Sequence, residues 1–281
     1  MIPRLAVRVL LAVGVVYAGI CAFLLIEQNN LLYIGISLPP HDPALNLPAF
    51  DDANGAQIGW IATPAGPVRG TIVFFHGNDE EAWQADQNYA GYFTARGWRV
   101  VFPEYRGFDF RSGLAPTHDN VVADAVADMR FAAQKFPEQK LWVAGNSLGA
   151  GIAALAAKPG GAQGVLLFVP WDRMSAVAQE RYPFVPTRLL LAADGTDYDS
   201  CTALAGIHVP VFITYAVQDD IIPAHHALKL AACLGVPAGQ VFALATATHL
   251  NWEQKLNATQ WDTMLGDYPL ITEPNGAKTQ P

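Results

Sequence analysis

The sequence predicts an α/β fold: a mostly parallel central sheet with helices on both faces and a short helical lid, preceded by one N-terminal transmembrane helix. Two observations carry the fold. Short β-prone apolar runs alternate with helix-forming segments, and several runs are apolar throughout rather than at every second position, as strands covered on both faces require. A third observation, an 18-residue apolar stretch close to the start, carries the membrane helix. Composition removes other classes. With 52% hydrophobic and 15% charged residues the 281-residue chain is not mainly disordered. A net charge of −8 leaves no cationic footprint for nucleic acid, and three cysteines cannot build a disulfide framework.

Taken in order, the apolar stretch is residues 9–26, preceded by Arg4 and Arg8. It ends in Phe23-Leu24-Leu25-Ile26, without a small-residue cleavage site, so residues 1–26 read as an uncleaved signal-anchor rather than a signal peptide. No Lys or Arg follows until Arg69, which keeps the basic end cytoplasmic and places the remainder on the non-cytoplasmic side. In such a compartment Cys201 and Cys233 either pair or stay as buried thiols, and Cys21 faces lipid. Residues 27–55 are a proline-bearing connector. Strands are expected at 58–62, 71–75, 98–102, 141–144, 165–169, 211–215 and 241–244. The clearest helix runs over 120–136, where Val122, Val126, Met129, Ala133 and Phe136 recur at helical spacing until Pro137 stops it. Residues 56–268 are expected to form the main domain, with the lid at about 170–205, and 269–281 a loose polar tail.

Function concentrates in Gly145-Asn146-Ser147-Leu148-Gly149, which follows the apolar run 141–144 and precedes a helix-prone stretch. This is G-x-S-x-G in strand–turn–helix context, a nucleophile elbow. The turn is so sharp that side chains at 145 and 149 would collide, so glycine occupies both. The Ser147 hydroxyl then stands above the sheet beside a helix N-terminus, which favours developing negative charge.

A serine nucleophile needs a histidine base oriented by a carboxylate, in the chain order Ser, Asp or Glu, His. His249 follows the last expected strand and is the expected base. His208 precedes a strand, and His225 and His226 fall on a helix whose surface they are expected to share with solvent. For the acid, spacing favours Asp219 after run 211–215. Asp220, better suited to cap the next helix, and Asp172, after run 165–169, are the alternatives. The oxyanion donors are expected to be the backbone amides of Leu148, next to the nucleophile, and Asn78, in the turn His76-Gly77-Asn78. His76 braces that turn. Asp219, Asp220, His225 and His226 are too divergently placed for a metal site, and neither a metal nor an organic cofactor is expected.

These blocks, in this order, resemble the α/β-hydrolase superfamily, in particular compact serine hydrolases tethered by an N-terminal membrane helix. Gln28-Asn29-Asn30-Leu31-Leu32-Tyr33 is similar to the group's juxtamembrane segment, His76-Gly77-Asn78 to its oxyanion block, and Glu104-Tyr105-Arg106-Gly107-Phe108 to its tyrosine–arginine–glycine turn. Asp199-Ser200, Asp219 and His249 complete a resemblance that spans roughly residues 28 to 260. It implies an esterase or thioesterase acting on a small-molecule or lipid-derived acyl substrate. Peptide or amide cleavage and acyl transfer are the enzyme alternatives, and a non-catalytic tethered scaffold the alternative outside enzymes. Two departures stand out. Asp79-Glu80-Glu81 follow the oxyanion block, where negative charge opposes an oxyanion unless the side chains point to solvent, and Ala216 replaces a glycine at the start of the acid loop. The lid carries Trp171, Met174, Tyr182, Phe184, Val185, Leu189 and Leu190, enough apolar surface for packing against the body or for an acyl-binding wall.

Overall fold

Among the described residues, eight strands form a single sheet. The computed structural model describes residues 3–34, 41–137 and 140–266, without the side chains of 192–194. The tail expected at 269–281 lies outside the described residues, as do residues 35–40 of the connector. β1 (Ala49–Asp51) and β2 (Gln57–Ala62) form an antiparallel edge, and β2 is also antiparallel to β4 (Trp98–Pro103). From β4 onward the sheet is parallel through β3 (Gly70–Phe75), β5 (Lys140–Asn146), β6 (Val165–Phe168), β7 (Val211–Ala216) and β8 (Val241–Leu244).

The uniformly apolar strands are explained by two cores. In β3, Ile72 and Phe74 face one core and Val73 and Phe75 the other. The first is covered by α3 (Ala82–Thr94), α10 (Trp252–Lys255) and α11 (Ala258–Leu265), which bring Phe93, Trp252 and Trp261 onto the sheet. The second is covered by α4 (His118–Lys135), α5 (Leu148–Ala157), α8 (Ser200–Leu204) and α9 (His225–Leu234). Every residue of α5 except Leu155 is buried. Only a helix of Ala and Gly with few larger side chains can lie so close to a sheet.

Several elements differ from expectation. The helix expected at 120–136 begins at His118, because Thr117 and Asn120 cap it reciprocally one turn earlier. The strand expected at 165–169 stops at Phe168, since Val169 turns to φ 43°. The connector contains structure: α2 (Gln28–Leu32), β1, and a buried Tyr33 whose hydroxyl lies 2.6 Å from that of Tyr198. Between β6 and β7 lie α6 (Met174–Arg181), α7 (Thr187–Asp194) and α8, and a disulfide joins Cys201 on α8 to Cys233 on α9. At the other end, α1 (Arg4–Ile26) has a mean hydropathy of 2.8 over its apolar window and no buried residue, so it is long and apolar enough to cross a membrane.

On α4, burial pushes the Asp128 carboxyl up to about 8; the Asp124 charge adds to this and Arg111 opposes it. A carboxyl with a raised folded-state pKa favours the fold fully below the ordinary value of about 4, and that contribution is lost as pH rises toward 8. Asp128→Asn, which cannot ionise, is therefore expected to flatten the pH profile. Its melting temperature relative to wild type should rise by a few degrees between pH 5 and pH 9, as thermal unfolding of the detergent-solubilised chain will show.

Candidate active site

The site begins with backbone geometry at the end of β5. Ser147 sits at φ 56°, ψ −115°, a conformation that an L-residue holds only when its surroundings impose it. A Cβ on Gly145 would run into the Gly149 carbonyl, and one on Gly149 into the Phe75 carbonyl at the end of β3. The two glycines thus let the turn close and let α5 start against the neighbouring strand.

His249 lies in the loop after β8, shaped by a hydrogen bond from the Thr248 amide to the Asn251 side chain. Its Nδ1 is 2.7 Å from Asp219 Oδ2 and its Nε2 is 2.9 Å from Ser147 Oγ. The carboxylate demands the proton on Nδ1, which leaves Nε2 to accept from the serine hydroxyl. Asp219 is fixed in turn: its Oδ1 accepts the Ile221 and Ile222 amides at 2.9 and 2.8 Å, and its side chain is only 1% exposed. Ala216, in place of the glycine, ends β7 without a positive φ, so the acid loop carries no strain there. This arrangement can activate a hydroxyl for attack on a carbonyl.

The other sequence candidates lie elsewhere. Asp172 Oδ1 is 2.6 Å from His226 Nδ1. Asp220 borders the cavity under the lid and does not cap α9, whose N-cap position is Ala224 without a side-chain cap. His208 is exposed before β7. His225 and His226 meet Glu180 of the lid rather than Asp219 or Asp220, and His226 is fully buried instead of sharing a solvent-facing surface. Gly-to-helix sequence patterns carry no hint of a lid residue reaching that helix.

Asn78 and Leu148 border the same cavity as Ser147, and among the described residues neither backbone N–H has a protein acceptor. The turn carrying Asn78 is braced as expected. His76 is buried, with Nε2 donating to Glu104 Oε1 at 3.0 Å and Nδ1 to the Gly77 carbonyl at 2.8 Å. Burial presses this imidazole toward neutrality, but the Glu104 carboxylate, with Glu80 and the Gly77 carbonyl, carries its pKa above the ordinary value. Glu104 also accepts the Ala82 and Tyr105 amides, and the Tyr105 hydroxyl donates to the His76 carbonyl at 2.8 Å. Arg111 donates to the Glu104 carbonyl and shares Asp124 with Arg106. The Glu104–Phe108 block thus braces the His76-Gly77-Asn78 turn.

The acidic run corrects an expectation. Asp79 is exposed, but Glu80 and Glu81 turn inward. Glu80 Oε1 accepts the Gly77 amide at 2.8 Å and the Asn146 side-chain amide at 3.1 Å, while Oε2 accepts the Tyr89 hydroxyl at 3.2 Å. Burial pushes the Tyr89 pKa well up, so this hydroxyl remains a donor. Glu81 is buried, accepts the Trp83 indole and the Asp109 amide, and forms a capping box for α3 with Gln84. Asn146, the variable residue of the elbow, was missed: it joins Glu80 on one side and accepts the Trp252 indole N–H at 3.0 Å on the other. Glu80, three residues past Gly77, has the spacing at which a carboxylate reaches back to a turn amide, the one sequence signal available for it.

Ser147 opens onto two cavities. One, of about 470 Å³, lies under the lid between Trp171, Met174, Tyr182 and Ile222. The other, of about 210 Å³, is more polar and is bordered by Asp79, Glu80, Asn88 and His249.

A strand–elbow–helix unit on a parallel sheet, with a carboxylate and a histidine delivered from the loops after the last two strands, defines an α/β-hydrolase architecture. The comparisons agree. A family model described as serine aminopeptidase, S33 matches residues 66–192. An uncharacterised protein of Mycobacterium tuberculosis is 26% identical over 242 residues, covering 83% of this chain and 84% of that one. Among solved structures, an esterase of Thermogutta terrifontis matches with a TM-score of 0.59 at 19% identity, over 82% of this chain and 94% of that one. An esterase of Pyrococcus furiosus matches with a TM-score of 0.57 at 15% identity, over 81% and 95%. At these identities the structures establish the fold. The chain has the α/β-hydrolase fold, and the part of it that holds the elbow matches that family model.

Because the elbow tolerates no Cβ at either glycine, Gly145→Ala and Gly149→Ala are each expected to cost about 3 kcal/mol or more of stability. Gly91→Ala, in open space on α3, should leave stability unchanged or slightly raised. Thermal unfolding of the three variants checks this.

Proposed function

We propose that the protein is a membrane-tethered serine hydrolase that cleaves carboxylic esters or thioesters through an acyl-enzyme on Ser147. The observation that carries the reading is the continuous relay from Ser147 to His249 to Asp219, at 2.9 and 2.7 Å, on the elbow of this fold. As Ser147 Oγ attacks the carbonyl carbon, His249 takes the hydroxyl proton and Asp219 stabilises the imidazolium. The carbonyl oxygen, now an oxyanion, accepts from the Asn78 and Leu148 amides. Collapse breaks the bond to the alcohol or thiol, which leaves with the proton from His249. Water then attacks the acyl carbon by the same route and releases the acid. The scheme uses only side chains and backbone of this chain.

Three features support a lipid-derived acyl group. The larger cavity at Ser147 is mostly apolar. A second apolar cavity of about 220 Å³ adjoins it, sharing Leu32, Met174 and Tyr182 and lined further by Leu24 and Leu25 of α1. The Tyr17 hydroxyl of α1 also donates to the Phe184 carbonyl of the lid at 2.8 Å. The esterase names of the structural neighbours favour ester chemistry, whereas the family model's description favours an aminopeptidase, for which exposed Asp79 at the polar cavity would face a substrate ammonium. For location, α1 serves as the anchor, and the Cys201–Cys233 bond supports an oxidising, non-cytoplasmic compartment.

Labelling with a fluorophosphonate tests the mechanism. Wild type should react, Ser147→Ala not at all, and His249→Ala about a thousandfold more slowly. Glu80→Ala should slow labelling about tenfold by freeing the Gly77 turn, with Glu80→Gln retaining most of the rate. A folded wild type that stays unlabelled would leave the scaffold reading. Turnover of a series of acyl esters and thioesters against aminoacyl amides then separates hydrolase from peptidase.

The anchor is tested by fractionation and protease access. The full chain should sediment with membranes, removal of residues 1–26 should release it, and residues 56–268 should be digestible only from the non-cytoplasmic face. Digestion from the cytoplasmic face would overturn the orientation.

A further inference from the structure

We propose that Glu180, His225 and His226 form a binding site for a divalent transition-metal ion of the zinc class, which clamps lid helix α6 to the start of α9. One carboxylate oxygen and one nitrogen from each imidazole all lie within 4.8 Å of one another. His225 Nε2 is 2.9 Å and His226 Nε2 3.5 Å from Glu180 Oε1. Ligands around a tetrahedral ion at bond lengths of about 2.0–2.1 Å stand roughly 3.4 Å apart, so the carboxylate already has the right spacing to both rings. Only the two imidazoles must draw closer, and His225, with its side chain 45% exposed, is free to turn.

The observation that points to a ligand is His226. Its side chain is wholly buried, yet its Nε2 has no hydrogen-bond partner and faces Glu180. Its Nδ1 lies 2.6 Å from Asp172 Oδ1 and donates its proton there. The Nε2 lone pair is thereby aimed at another acceptor, a carboxylate oxygen, with no donor between them. A cation resolves that conflict. The order carboxylate, histidine, metal is also the one in which a second carboxylate orients an imidazole ligand and raises its basicity.

Chemistry selects the ion. Two imidazoles disfavour Mg²⁺ and Ca²⁺, which prefer oxygen, and suit Zn²⁺ and its neighbours. Two neutral imidazoles with Glu180 and Asp172 carry two negative charges, which a divalent ion balances. Three protein ligands leave a fourth position for water. The consequence is mechanical: Arg181 and Tyr182 follow Glu180, and Asp220, Ile221 and Ile222 precede His225, and all five border the cavity at Ser147. The ion would fix the spacing between these two walls. The site stands whether or not Ser147 is a nucleophile, and its test does not read hydrolysis.

The full chain, purified in detergent without a polyhistidine tag and stripped with a chelator, is titrated with Zn²⁺ by calorimetry and with Co²⁺ by visible absorption. Wild type should bind one equivalent of each, with cobalt giving the intense visible bands of a tetrahedral site. His225→Ala and Glu180→Ala, both at partly exposed positions that spare the core, should each weaken binding at least tenfold and abolish the bands. Asp172→Asn should weaken binding but keep the bands. Absence of a stoichiometric wild-type ion, or binding and spectra unchanged in His225→Ala and Glu180→Ala, would overturn the site and leave His226 as an ion-paired core histidine.

Discussion

The approach of Gly149 to the end of β3 is the contact on which the rest of the site depends. The space a Cβ would need there is filled by the Phe75 and His76 carbonyls, so the first turn of α5 sits directly on the last residues of its neighbouring strand. This contact forces Ser147 into its positive-φ conformation and sets the spacing of the two turns. The Leu148 amide lies at the start of α5, and the Asn78 amide lies just past β3. One glycine therefore sets the spacing between these two amides. In the proposed mechanism the placing of the hydroxyl, the helix N-terminus and both oxyanion donors would follow from a single close packing of backbone on backbone.

Around that contact the polar groups act as struts. Glu104 links His76, Ala82 and Tyr105, and Glu80 links Gly77, Asn146 and Tyr89. Carboxylates this deeply placed are tolerated because nearly every lone pair has a donor. Glu80 also decides between adjacent amides. The Gly77 N–H is turned toward its carboxylate, whereas the Asn78 N–H has no protein acceptor among the described residues. In the proposed mechanism this leaves Asn78 as the donor, and the cost of the Glu80 charge to an oxyanion would be reduced by the three donors it already accepts. Asn146 extends the bracing to the segment after His249 through Trp252, so the Gly77 turn, the elbow and the His249 loop are joined by one side chain.

What was legible in the sequence follows from how local each signal is. The strands of the parallel sheet read directly from apolar runs, and Ser147 from two glycines within five residues. His249 and Asp219 read from their positions after β8 and β7, because strand ends on one side of a parallel sheet converge. β1 escaped because three residues with one buried side chain give no periodicity. Glu80, Glu81 and Asn146 escaped because inward or outward aim depends on partners such as Tyr89, Trp83 and Trp252, which are distant or lack a motif. Glu180 and His226 meet across 45 or so positions of chain, through a lid whose helices have no sequence pattern that fixes their packing.

The lid is held at its ends and left exposed in its middle. Trp171 donates to the Tyr198 carbonyl, Tyr198 pairs with Tyr33 of the juxtamembrane segment, and Asp172 holds His226. The Cys201–Cys233 bond then fastens α8 to α9, and Arg173 pairs with Asp199 across the base of the lid. Between these fastenings, Tyr182, Phe184 and Leu189 are more than half exposed although they are large and apolar. Such a surface is unfavourable in water but not against a bilayer or an acyl chain, and it lies on the same side as α1, at the Tyr17–Phe184 contact. Met174 and Tyr182 of this exposed segment border both apolar cavities, whereas the other side of the Ser147 cavity is built from Trp171 and Leu148 next to the sheet. In the proposed reaction the lid side would therefore meet the acyl group, and the sheet side would position the reacting carbonyl.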